Sequence, residues 1–296
     1  MRKFIFNLFI FLSLVLVFNI IVFVFANDNY YKGYKDFPDK KFHSFVIADS
    51  HGLWIDKYAE KYNVYNFSAS SDSYFDMKRK VNYLIDNDYI IDKIYLTVDD
   101  HTLSPYREKY NNADKSIVYT SKIDYNYLKE KYLKYYFPVF QVKVNPLLKN
   151  YLENKTEKVL KIQDEKSNDV IWNNLPNKEK LLRAEERVSG QFPSMIPSEK
   201  LENTLQEIIT LCKAHHIELI GLKFPVTGSY LQALDGRKYK ADDIFISNGL
   251  KVLDYQSHYA EKDEVFTDQD HLNFNGGKEF VEILFEKQST TSESNK

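Results

Sequence analysis

Two short stretches of this chain set catalytic residue types side by side. The first is Ala48-Asp49-Ser50-His51-Gly52, which follows a brief apolar run and leads into residues with helical spacing. A serine at a strand-to-helix joint can present its hydroxyl beside free backbone N–H groups, as an acyl-transfer nucleophile and its oxyanion require. The same residues also suit a plain helix cap, because Ser and Asp are favoured at that position. The second stretch is Thr267-Asp268-Gln269-Asp270-His271-Leu272-Asn273, ahead of the last helical segment. An aspartate three residues before a histidine on a turn can bond the imidazole and fix its tautomer, leaving the other ring nitrogen as a base. Of the seven histidines only His271 has an aspartate at that spacing.

The elements that must hold these residues alternate. His43 to Ala48 reads as a buried strand, His51 to Tyr62 as a helix, and Val64 to Phe67 as a second strand. A helix capped at Ser71 or Asp72 runs to about Asp86, and Ile90 to Val98 is a third strand. After an irregular middle, Ser198 caps a helix over about 199–215, and Ile217 to Phe224 is the next strand. Lys251 to Tyr255 is a short last strand, Asn275 to Glu286 a closing helix, and 288–296 a disordered polar tail. Strand–helix alternation with short joints predicts a parallel sheet covered on both faces, within one domain over 42–287. Residues from about 101 to 198 read as an insertion, dominated by charged and amide residues between 149 and 180 and ending in a Gly190–Pro197 loop. The tyrosine-rich run Tyr125–Tyr136 reads as an amphipathic helix packing on the sheet, with a sugar-stacking face as the alternative.

Ala-Asp-Ser at the first strand–helix joint, together with Asp-x-x-His before the last helix, resembles the first and last sequence blocks of the SGNH (GDSL-like) hydrolase superfamily. The resemblance covers about 43–99 and 199–287. It implies a flavodoxin-like three-layer α/β sandwich with a central parallel sheet and a Ser-His-Asp triad. Carried over, Ser50 would be the nucleophile, His271 the base and Asp268 its orienting carboxylate, with Asp270 as second choice. Oxyanion or pocket roles would fall to the Ala69 N–H, Asp99 and His101. Here the sequence departs from the family: Ala69 lies where a glycine is usual, and Asp99 stands where an asparagine donor belongs. An ionised carboxylate cannot donate. The implied reaction is ester hydrolysis or O-acyl transfer and needs neither metal nor cofactor. The alternative is a degenerate domain of this shape that binds surface polymer or export machinery.

Location follows from the N-terminus. After Met1-Arg2-Lys3, Phe4 to Ala26 carries no charge; as a helix it would be roughly 34 Å long, enough for a hydrocarbon core. This predicts a single-pass transmembrane helix over 1–27, followed by a polar tether over 28–41. Val24-Phe25-Ala26 would also serve as a signal cleavage site, making the protein secreted. Either way the positive residues stay inside and the domain lies outside the cytoplasm. A glycan or acyl-ester substrate at the cell surface fits that location, and transfer would need a membrane protein as acyl donor. A net charge of −2 argues against nucleic acid as a partner. The single cysteine, Cys212, rules out an intramolecular disulfide framework.

Overall fold

The computed structural model describes residues 1–140 and 172–293. The chain divides into two compact units, Met1–Phe37 with Ala113–Ser167, and Pro38–Asn112 with Asn168–Lys296.

The first unit begins with α1 (Arg2–Phe25), apolar on every face, which continues as a π-helical turn over Ala26–Tyr30. By length and composition it can cross a membrane, a property that signal sequences share. The stretch read as a tether is more ordered than expected. A 3₁₀ turn spans Lys32–Tyr34, Tyr31 and Tyr34 are buried, and their rings lie 5.4 Å from Tyr135 and 5.9 Å from Tyr119. Tyrosine rings carry enough apolar surface to fold a polar-looking segment once other rings are available to meet them. The tyrosine-rich run supplies those rings. It forms a π-helix at Lys129–Tyr135 and packs against α1, where the sequence reading puts it on the sheet: Phe23 lies 5.5 Å from Tyr135 and 5.8 Å from Tyr136.

The second unit is a five-stranded parallel sheet. Its strands are β1 (Ser44–Ile47), β2 (Val64–Asn66), β3 (Lys93–Thr97), β4 (Glu218–Lys223) and β5 (Val252–Asp254), in the order β2-β1-β3-β4-β5. That is the flavodoxin-like order, with a topological switch between β1 and β3 where ligands collect at the strand ends. The β1–α link is not one regular helix. A 3₁₀ segment at Ser50–Ile55 passes into α2 (Asp56–Ala59) and another 3₁₀ turn, ending at Asn63 in the left-handed region. The remaining helices are α3 (Tyr74–Asp86), α4 (Asn177–Gln191), α5 (Glu199–Ala214), α6 (Gly228–Leu234), α7 (Ala241–Ser247) and α8 (Phe274–Glu293).

Alternate residues of each strand serve opposite faces. Val46, Ala48, Tyr95, Ile220 and Leu222 join one cluster with Phe280, Val281 and Leu284 of α8. Phe45, Ile47, Ile94 and Leu96 are equally buried on the other face, where α3 and α5 pack together. Helix α4 crosses part of the stretch read as irregular. It buries only a narrow stripe, with Ala184 and Val188 against Tyr230 and Leu234 of α6, so its charged faces hide the periodicity. It also runs through Gly190 to Gln191, shortening the expected loop. Residues 141–171 of the insertion lie outside the described residues. The closing helix continues to Glu293, through most of the expected tail, and 294–296 are likewise outside.

Helix α8 seats against the Ser50 segment at Gly277, where a Cβ would collide with the carbonyl of Trp54. In an open helix Gly→Ala gains about 1 kcal/mol. At this contact Gly277→Ala should instead lower stability by about 1–3 kcal/mol, measured by chemical denaturation of the full chain in detergent. A gain would show that α8 and the Trp54 carbonyl do not approach this closely.

Candidate active site

Ser50 leaves the sheet on a tight turn. Asp49 Oδ1 accepts from the His51 N–H (3.0 Å), and the Asp49 carbonyl accepts from the Gly52 N–H (3.2 Å). Gly52 has no room for a side chain, since a Cβ would meet Ser68 Oγ and the Ala48 Cβ. Asp49 and His51 are thereby buried on either side of a half-exposed Ser50. The histidine comes from a loop closed by an antiparallel bridge between Phe266 and Leu272, with the Thr267 N–H donating to the His271 carbonyl (2.8 Å). Asp268 Oδ1 accepts the backbone N–H of Asp270 (3.1 Å) and of His271 (2.9 Å), so one carboxylate shapes the loop and faces the ring. Asn273 then caps α8, its Oδ1 accepting from the Gly276 N–H at 2.9 Å.

These pieces bring Ser50, His271 and Asp268 together. His271 Nε2 is 2.8 Å from Ser50 Oγ, and Nδ1 is 2.9 Å from both carboxylate oxygens of Asp268. Carboxylate oxygens only accept, so the ring proton belongs on Nδ1, and Nε2 is left to accept from the Ser50 hydroxyl. Asp270 Oδ1 lies 3.2 Å from the same Nδ1, but this carboxylate is engaged elsewhere. Its Oδ2 accepts from Arg187 Nε (2.7 Å) and Gln191 Nε2 (3.0 Å), and its side chain is fully buried whereas that of Asp268 is 39% exposed.

Beneath the three residues lies a network of buried charge. His51 Nδ1 is 2.8 Å from Asp99 Oδ2, and its Nε2 is 3.5 Å from Asp270 Oδ2, an ion-pair distance too long for a direct hydrogen bond. Burial alone would keep His51 neutral. Asp99 and Asp49, with Asp270, outweigh it and push its pKa well above the usual 6.5, which favours the charged ring. Burial would likewise raise the carboxyl of Asp49, yet His51, His101 and Arg107 hold it well below 3.8. Asp270 is held low against its burial by His51, His271 and Arg187. Burial lowers His101, which stays neutral with Nε2 3.0 Å from Asp49 Oδ2.

The expected oxyanion residues are all committed within this framework. The Ala69 N–H donates to the Ala48 carbonyl (3.2 Å). Asp99 accepts from Thr97 Oγ1 (2.9 Å) and the Phe224 N–H (2.8 Å) in addition to pairing with His51. His101 is tied to Asp49 through its Nε2. Asp99 therefore serves as an internal anchor in place of an asparagine donor. The Ser50 N–H, at the first position of its 3₁₀ segment, has no protein acceptor among the described residues.

Two groups of ligand-type residues occur here, Asp49-His51-His101 and His51-Asp270-His271. Their facing oxygens already pair with Arg107, Arg187 and Gln191, which ties both groups into the ion-pair network. Sequence reasoning missed His51, Arg107, Arg187 and Gln191. His51 adjoins the proposed nucleophile and could have been found there, whereas nothing in the local sequence marks Arg187, 83 residues from Asp270.

No protein-family model matches the chain, and no curated protein does. Among solved structures, a GDSL-like lipase from Bacteroides thetaiotaomicron is similar at 9% identity and a TM-score of 0.39, covering 88% of this chain and 97% of its own. A candidate acylhydrolase from Bacteroides fragilis is similar at 11% identity and a TM-score of 0.37, covering 90% of this chain and 95% of its own. Likenesses this distant do not say what this chain does.

Two outcomes follow from the site. Asp268→Asn should lower any esterase activity by up to about 10⁴-fold with little change in melting temperature, since the orienting carboxylate is lost but nothing buried is left unpaired. Asp270→Asn should instead cost about 3–5 kcal/mol of stability, because Arg187 and His51 lose their shared partner. Turnover and melting of the two variants, measured side by side, check the assignment; identical profiles would contradict it. Stability should also depend on pH at both ends. The contribution of His51 is complete below 6.5 and lost as the pH climbs from there through its raised folded value. That of Asp49 and Asp270 is complete above 3.8 and lost as the pH falls through their depressed values. A melting profile that stays flat above pH 6.5 would show that His51 is not charged.

Proposed function

We propose that this chain is a serine esterase or O-acyltransferase that works through Ser50, His271 and Asp268. The observation that carries the reading is the 2.8 Å contact between Ser50 Oγ and His271 Nε2, with Nδ1 held on Asp268. A general base must lie within hydrogen-bond reach of the proton it takes, and this one does without a bound substrate. Ser50 Oγ would attack an ester carbonyl carbon while its proton passes to His271 Nε2. Collapse of the tetrahedral species breaks the ester C–O bond, and the leaving alcohol takes that proton. Water or an acceptor hydroxyl then attacks the acyl-serine, His271 takes its proton, and Ser50 is released as the free hydroxyl. The Asp268 carboxylate holds the tautomer and stabilises the imidazolium formed in each half. The Ser50 N–H is the group available to the oxyanion.

The N-terminal helix supports an anchored protein with its domain outside the cytoplasmic membrane. An acyl ester of a cell-surface glycan is the substrate class that suits such a location. Hydrolysis needs no further component, while transfer needs a membrane partner that delivers the acyl group.

A second reading has an observation behind it. Ala69, Asp99 and His101 are all used internally, which leaves fewer oxyanion donors than an efficient acyl-transfer site has, and each donor is worth about 100- to 1000-fold in rate. On that reading the domain binds surface polymer or export machinery and turns nothing over. Fluorophosphonate labelling of Ser50→Gly separates the two. Glycine costs a helix cap only a few tenths of a kcal/mol, so the variant should melt like the wild type. Labelling of the wild type that is lost in Ser50→Gly is the expected result; equal labelling of both proteins, or of neither, would favour the second reading.

A further inference from the structure

The segment 123–136 presents apolar side chains that no described residue covers. Tyr125 is fully exposed, Leu128 is 71% exposed and Leu133 60%. In the π-helical winding the Tyr136 N–H donates to the Lys131 carbonyl five residues back (3.1 Å), and Leu128 and Leu133 lie about one turn apart. The opposite side grips α1. Tyr135 and Tyr136 meet Phe23, and Asn19 Nδ2 donates to the Tyr136 carbonyl at 2.8 Å. Asn19 is buried, and it lies six residues inside the Phe25 end of the helix, which is about 9 Å along the axis.

The inference rests on reading α1 as a retained membrane anchor. If α1 spans the bilayer, whatever touches Asn19 and Phe23 is at the level of the outer interface, and its uncovered face meets lipid. The composition suits that depth. Tyrosine rings favour the boundary between headgroups and acyl chains, and leucines reach the acyl chains. Within the segment Lys129, Lys131 and Lys134 stand against Asp124 and Glu130; Lys134 pairs with Glu130 (2.6 Å), and the exposed Lys129 can reach anionic headgroups from its flexible stem. Lys131 Nζ also sits over the rings of Tyr135 (5.0 Å) and Tyr136 (5.8 Å), which keeps its charge beside the aromatic layer.

We infer that residues 123–136 form a second membrane-binding element, laid in the outer leaflet of the bilayer against the N-terminal helix. This accounts for the tyrosine density of a segment that packs on α1, and for a polar Asn19 within an apolar helix. A cleaved signal peptide would leave Tyr135 and Tyr136 without the ring they pack on.

Spin-label depth measurements test it. The full chain, in a Cys212→Ala background, is reconstituted in vesicles of phosphatidylglycerol and phosphatidylethanolamine. Nitroxides are placed through Leu128→Cys and Leu133→Cys, with Leu12→Cys as the hydrocarbon reference and Thr210→Cys as the aqueous one. Collision with oxygen and with a water-soluble nickel chelate should put the Leu128 and Leu133 labels about 5–10 Å into the interface, shallower than Leu12. Labels that behave like Thr210 while Leu12 stays in hydrocarbon would overturn the second element and leave the anchor standing. A water-exposed Leu12 would overturn the anchor and this inference with it.

Discussion

Charge withdrawn from water at the carboxyl ends of β1 and β3 is the constraint on which the rest of the site depends. Asp49, His51, Asp99, His101, Arg107 and Asp270 are all buried within hydrogen-bond or ion-pair reach of one another. An isolated buried charge would cost several kcal/mol, so each must be matched by an opposite one. Here His51 lies between Asp99 and Asp270, and Asp49 pairs with Arg107 with the His101 ring hydrogen-bonded beside it. Removing a member takes a partner from at least one buried charge. The arrangement therefore specifies geometry far more than it adds stability.

That geometry reaches Ser50 and His271 by short covalent paths. Asp49 and His51 are the two neighbours of Ser50, so the serine is fixed by paired charges on both sides. Asp270 is the immediate neighbour of His271, and its link to Arg187 and Gln191 ties the histidine loop to α4. The Gln191 side chain in turn bonds the Tyr230 hydroxyl of α6. Loop residues are thus held by regular elements, which is how a site on loops keeps its distances. A second buried pair, Lys223 with Asp100 at 2.6 Å, fastens β4 to the β3 loop in the same way.

The central sheet could be read from local signals because parallel strands are short apolar runs, and the two ends of the site because serine at a strand end and Asp-x-x-His are local patterns. What could not be read was anything that depends on distant pairing. Asp99 looked like a failed oxyanion donor because its partners, His51 and the Phe224 N–H, lie 48 and 125 residues away. Helix α4 hid behind charged faces with only Ala184 and Val188 turned inward. Tyr31 and Tyr34 looked like tether residues because the rings that bury them come from beyond residue 113. In each case the missing information was a partner and not a propensity.

The most direct test of the account is whether an acyl group ever resides on Ser50. Full-length protein in detergent, mixed rapidly with p-nitrophenyl acetate and quenched in acid, can be digested and its acetylated peptide sequenced by mass spectrometry. A burst approaching one nitrophenolate per chain and an acetyl group on the Ser50 Oγ are expected. Nitrophenolate released without a burst, with no acetyl on the peptide carrying Ser50, would contradict it.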